Sequence, residues 1–156
     1  MFGICNLAII PLRFEPSDKS EIVSQVLFGE HFEILEKFNQ WSRIKMQYDD
    51  YEGWIDSKQL QLISEASFKQ LSTEAIILNA DLIEYITAPN NVLIPIPLGS
   101  SVSFIHHNEI NISNFDFEGT KTSGEKSKEN IVNTAFMYLN APYLWGGDRK
   151  STRLNS

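Results

Sequence analysis

The chain of 156 residues has a single cysteine, Cys5, so no internal disulfide can form. A lone thiol fits a reducing compartment and excludes the small secreted domains that are stapled by disulfides. Long apolar runs are missing too. None approaches the roughly 20 residues that a spanning helix requires, which excludes a helical membrane span. Positive charge is also short: 13 Lys and Arg stand against 20 Asp and Glu, a formal net charge of −7. A surface that follows nucleic-acid phosphates needs the opposite balance, so no nucleic acid is expected as a partner and a peptide or amine-bearing ligand fits better. The opening Met1-Phe2-Gly3-Ile4-Cys5 offers neither a basic leader nor an apolar stretch of export length, and the sequence reads as cytoplasmic. The adjacent His106 and His107 would point to opposite faces of a strand, so no metal is expected, and no cofactor motif is present.

The first sixty residues contain short alternating runs broken by turn residues, with no sustained helical period. Strands are predicted near 7–13, 22–26, 32–38, 41–47 and 53–55, a spacing that suits a small, partly open barrel. Cys5 begins the apolar run Cys5-Asn6-Leu7-Ala8-Ile9-Ile10, where a free cysteine acts as a small buried hydrophobe rather than a reactive thiol. Trp41 is read as core. Trp54 is read either as core or as a stacking surface.

The sequence also repeats itself. Phe28-Gly29-Glu30-His31-Phe32-Glu33-Ile34-Leu35 has a counterpart in Leu98-Gly99-Ser100-Ser101-Val102-Ser103-Phe104-Ile105, each a glycine turn followed by alternating apolar residues. Tyr51-Glu52-Gly53-Trp54 is echoed by Phe117-Glu118-Gly119-Thr120, at a shorter offset. Two tandem barrels are expected, over 1–63 and 74–123, with a polar joint around 64–73.

Arg13, Pro16-Ser17, Gly29-Glu30, Ile34-Leu35, Trp41, Gly53-Trp54-Ile55 and Leu60 together resemble the bacterial SH3 domain. The second copy keeps the glycines and lacks both tryptophans. Beyond Ser123 comes a polar linker, and then Ile131, Val132, Ala135, Phe136 and Leu139 fall at helical spacing between a Ser127 cap and Asn140. The following Pro142-Tyr143-Leu144-Trp145-Gly146-Gly147 resembles the opening of the NlpC-type cysteine peptidase domain. The fold class expected is therefore mainly β, with two tandem SH3-like barrels followed over 127–147 by the first helix of an α+β papain-like peptidase domain. The last nine residues, 148–156, resemble the translation of a sequencing adapter and are set aside from fold reasoning.

The resemblance implies an endopeptidase that cleaves between D-glutamate and a diamino acid in peptidoglycan-derived peptides, in a subgroup that recycles muropeptides inside the cell. By the same resemblance, Glu15 and Tyr51 match positions that hold the ligand's amino terminus, and Tyr143 and Trp145 match residues lining the catalytic groove. The plainer readings make Glu15 a solvated turn residue and Tyr143 a packing residue. No catalytic residue is assigned: no cysteine follows Cys5 and no histidine follows His107, so the chain itself is expected to be inert. The rival reading is a non-catalytic module that binds a cell-wall peptide or a protein partner.

Overall fold

A computed structural model describes residues 1–106, 115–124 and 126–141. Its strands are β1 (Phe2–Ile4), β2 (Ile9–Arg13), β3 (Ile22–Leu27), β4 (His31–Phe38), β5 (Trp41–Met46), β6 (Glu52–Asp56) and β7 (Gln61–Ile63). After helix α1 (Glu65–Thr73) come β8 (Leu78–Asn79), β9 (Ile83–Thr87), β10 (Leu93–Pro97) and β11 (Lys121–Thr122), and the described chain ends with helix α2 (Lys128–Met137). The fold is mainly β.

The first seven strands form one antiparallel sheet in the order β3-β2-β6-β5-β4-β1-β7. Alternation drives it. Ile10 and Leu12 of β2, Phe32 and Ile34 of β4, Ile44 and Met46 of β5 and Ile55 of β6 all point inward, and with Cys5, Val23 and Val26 they make one core. Gly53 is required by close packing: a Cβ there would meet Leu12 Cγ at 2.6 Å and the Arg13 carbonyl at 3.0 Å. At the tight β4–β5 hairpin, Asn39 takes φ 52°, a conformation that asparagine tolerates.

β9 and β10 reproduce β2 and β3 in register. Ile9 pairs with Leu27 and Leu12 with Ser24; at the equivalent places Ile83 pairs with Pro97 and Ile86 with Ile94. The glycine turns match bond for bond. Gly29 N–H donates to the Cys5 carbonyl at 2.8 Å, and Gly99 N–H to the Asn79 carbonyl at 3.0 Å. Cys5 N–H donates to the Glu30 carbonyl, and Asn79 N–H to the Ser100 carbonyl, both at 2.9 Å. Both glycines are left-handed, with φ of 76° and 83°. The Ile4–His31 pairing recurs as Leu78–Ser101, and the β1–β7 pairing recurs as β8–β11. The first of the two sequence matches is thus a repeat of structure.

The second match is displaced. Trp54 lies opposite Arg13, but the residue opposite Thr87, the counterpart of Arg13, is Asp116 and not Thr120. Likewise Gly53 faces Leu12, while Gly119 faces Glu84, the counterpart of Ile10. Two tandem, partly open barrels were expected; the sheets are open, and the second repeat does not assemble a barrel of its own among the described residues. β3 and β7 end the seven-stranded sheet unpaired with each other, and the later strands form two two-stranded sheets, β9–β10 and β8–β11. The part equivalent to the β4–β5 hairpin contains the 3-10 turn Ser103–His106 and residues outside those described.

The stretch 64–73, read as a polar joint, is helix α1. Ser64 Oγ caps it by accepting from Ser67 N–H at 3.0 Å, and Leu71 is buried. α1 and the two repeats meet in a second core, where Ile4, Phe28 and Leu71 pack with Ile86, Ile96, Val102, Phe104 and Phe117. Helix α2 begins where the sequence places it, with Ser127 Oγ accepting from Asn130 N–H at 3.1 Å. It leaves Val132 and Phe136 exposed, and Leu139 just after it is exposed too.

Candidate functional site

Glu15 and Tyr51 stand at one end of the first sheet. β2 and β6 are antiparallel and pair at Arg13 and Trp54, so the chain leaving Arg13 and the chain entering Trp54 lie at the same end. The Pro16-Ser17 turn is tied down by hydrogen bonds: Glu15 N–H donates to Ser20 Oγ at 2.8 Å, Ser17 N–H to the Glu15 carbonyl at 2.8 Å, and Arg13 Nη1 to the Ser20 carbonyl at 2.9 Å. This fixes the backbone of Glu15 and leaves the residue exposed. Tyr51 is half-buried against the first core, with its N–H donating to Asp49 Oδ1 at 3.1 Å and its carbonyl accepting from Met46 at 2.9 Å. A carboxylate and a phenol at one sheet end suit an ammonium group. Tyr143, Trp145 and the segment 148–156 lie outside the described residues.

Trp41 is 5% exposed, which makes it core. Trp54 is half-buried on the outer face, between Arg13 of β2 and Arg43 of β5. Arg43 in turn bonds Glu52 at 2.6 Å and Glu36 at 3.6 Å, and its pKa is raised chiefly by the Glu52 hydrogen bond. Cys5 is fully buried, with Sγ against the Leu7 carbonyl at 3.1 Å and the Val26 carbonyl at 3.8 Å. It has no opening toward a substrate, so no nucleophile is assigned. Among the described residues no three His, Cys, Asp or Glu are grouped to hold a metal.

Residues 12–60 match the bacterial dipeptidyl-peptidase Sh3 domain. Both Glu15 and Tyr51 fall inside that SH3-like segment. Over 94% of this chain the fold also follows the crystal structure of an NlpC/P60 family protein from Bacillus cereus, with a TM-score of 0.72 and 13% identity. The likeness covers 66% of the Bacillus chain, so a third of that protein has no counterpart here. No curated protein matches.

A further concavity escaped the sequence reading. A cavity of about 330 Å³ opens where the SH3-like segment, α1 and the second repeat meet. The two equivalent turns contribute Gly29 and His31 on one side and Gly99 and Ser101 on the other, and α1 contributes Leu71 and Ser72. His31 Nε2 lies 3.2 Å from Ser72 Oγ, and that hydroxyl donates its one proton to the Phe68 carbonyl at 2.7 Å. Ser72 therefore accepts from His31 Nε2–H. The ring packs edge-on to Phe68 at 5.3 Å, and burial lowers its pKa to about 4, so the imidazole is neutral. Only the glycine signal of the repeat could have pointed here, since the cavity exists only once α1 brings the two turns together.

Proposed function

We propose that this chain is the substrate-recognition part of a cysteine endopeptidase that cleaves γ-D-glutamyl–diamino-acid bonds in peptidoglycan-derived peptides. Its SH3-like segment would wall one side of the active site and hold the free amino terminus of a short peptide between the Glu15 carboxylate and the Tyr51 ring. The observation that supports this reading is that Glu15 and Tyr51 sit at the same end of the first sheet, within the segment that matches a peptidase Sh3 domain. The repeat supports reading 1–63 and 74–123 as a tandem SH3 pair, and 127–147 as the opening of the peptidase domain. Tyr143 and Trp145 would line the catalytic groove, and the parent would supply the cysteine and histidine beyond Gly147.

Exposed apolar side chains on α2 and in the turn after it fit this organisation. Phe136 is 63% and Leu139 67% exposed, and a following domain would cover them. On this reading the parent recycles released muropeptides in the cytoplasm. The decisive experiment is to sequence the locus past the Gly147 codon, express the whole product and assay it on L-Ala-γ-D-Glu-diaminopimelate. Hydrolysis that weakens through KM when Glu15→Gln or Tyr51→Ala is introduced is expected. A locus without a downstream Cys and His leaves a binding module in place of the peptidase.

A further inference from the structure

The cavity between the repeats adjoins the place proposed for the peptide through Asp49, which accepts from Tyr51 N–H, but none of Glu15, Tyr51 and Trp54 lines it. Its walls join three parts of the chain, the turn and β5–β6 loop of the SH3-like segment, α1, and the second glycine turn. At about 330 Å³ it is within the range that small-molecule pockets occupy, roughly 300–1,000 Å³. Leu27, Leu71, Ile76 and Leu78 give it an apolar surface.

Its charge is one-sided. Glu30, Asp49 and Glu74 line it, and among the described residues no lysine or arginine does. The imidazole of His31 adds no positive charge at neutral pH, because burial lowers its pKa to about 4, and its Nε2–H is committed to Ser72. Ionised carboxylates only accept hydrogen bonds, and an uncharged ring whose N–H is already placed can only accept at its other nitrogen. Such a lining repels anions and favours a cation that carries N–H donors, while the leucine and isoleucine side chains favour an apolar body.

We infer that this cavity is a second ligand site, which takes a small primary amine with an apolar body and clamps the two repeats together across α1. The amine charge faces Glu30, Asp49 and Glu74, and the body lies on Leu71 and Ile76. Occupancy contributes contacts to both repeats at once, so it also stiffens their junction.

The experiment titrates the full chain with phenethylamine, and with phenethyl alcohol as the uncharged match, while amide shifts and the melting temperature are recorded. Saturable shifts at Gly29, His31, Ser72, Gly99 and Ser101, a raised melting temperature, and at least tenfold weaker binding of the alcohol are expected. Glu74→Gln keeps the side chain's shape and its oxygen for Gln70, and should weaken the amine several-fold with little change for the alcohol. Asp49→Asn keeps Oδ1 for Tyr51 N–H and makes the same test should the first variant not fold. Equal binding of amine and alcohol, shifts confined to Glu15 and Tyr51, or affinities unmoved by both variants would overturn the inference. The proposed peptide site can fail independently, since its probe and its shifted residues differ.

Discussion

Cys5 and Asn79 occupy the same place in the two repeats and do the same work. Cys5 Sγ lies against the carbonyls of Leu7 and Val26, and Asn79 Nδ2 donates to the equivalent carbonyls, of Asp81 at 3.0 Å and Ile96 at 3.4 Å. Each is fully buried. A side chain at this position stitches the first turn of the repeat to its third strand, which fixes where β1 and β8 enter their sheets. Removing the amide with Asn79→Ala strands buried carbonyls and the Asp81 N–H, and should cost roughly 2–4 kcal/mol in urea unfolding. Cys5→Ser should be milder, about 1–2 kcal/mol. The Cys5 thiol should react with a thiol reagent only at the rate of unfolding; rapid reaction in the folded chain would show that it is accessible.

Gly29 is pressed against the second repeat. A Cβ there would stand 1.9 Å from the Ser101 carbonyl oxygen, at a φ of 76°, while Ser101 N–H donates to the Phe28 carbonyl at 2.8 Å. Gly29→Ala therefore adds backbone strain to a collision with backbone, which cannot rotate away. A loss of roughly 2 kcal/mol or more is expected, together with separation of the repeats. Amide exchange in β9 and β10 should quicken in this variant. A Gly29→Ala chain as stable as the parent would mean that the junction is not packed as described.

The two tryptophans should answer differently to the same change. Trp41 is core, and Trp41→Ala should cost about 3–5 kcal/mol, enough to unfold a marginal domain. Trp54 lies on the outer face between Arg13 and Arg43, and Trp54→Ala should cost about 1 kcal/mol. Denaturation of the two variants followed by circular dichroism separates them, and the reverse ranking would turn the sheet inside out.

Much of the first sheet was legible because alternation, turn residues and glycine all agree there. β2 to β6 fall within two residues of the strands expected from the sequence. β1 and β7, of three residues each, are too short to show a period, and their pairing comes from tertiary contact. α1 was hidden by its composition, since between Glu65 and Thr73 the large apolar residues are Phe68 and Leu71 alone. The repeat was visible in Gly29 and Gly99, where a left-handed turn admits little else. The second match misled by four residues because Glu-Gly recurs without the Trp that fixes its register. Of the proposed peptide site, Glu15 and Tyr51 could be named from a resemblance, but their shared sheet end follows from the Arg13–Trp54 pairing. The cavity was not legible at all, for its walls come from three segments far apart in the chain.

Stability should depend on pH through His31. Its ring titrates near 4 when folded, against an ordinary value of 6.5, because burial penalises the charged form between Ser72 and Phe68. The unfolded chain thus binds the extra proton first. From about pH 6.5 down to about 4 stability falls, and below the folded value this contribution levels off. The loss is at most roughly 3–4 kcal/mol. His31→Gln should flatten that part of the profile, and an unchanged slope would place the titration elsewhere.

The central claim is that the SH3-like segment recognises the free amino end of a cell-wall peptide through Glu15 and Tyr51. The most direct measurement is binding of L-Ala-γ-D-Glu-diaminopimelate to this chain, followed by amide shifts, beside the same peptide acetylated at its amino terminus. Saturable shifts clustered at Glu15 and Tyr51, at least tenfold weaker with the acetylated peptide or with Glu15→Gln, are predicted. Equal binding of the two peptides, or shifts that leave both residues unmoved, would contradict it.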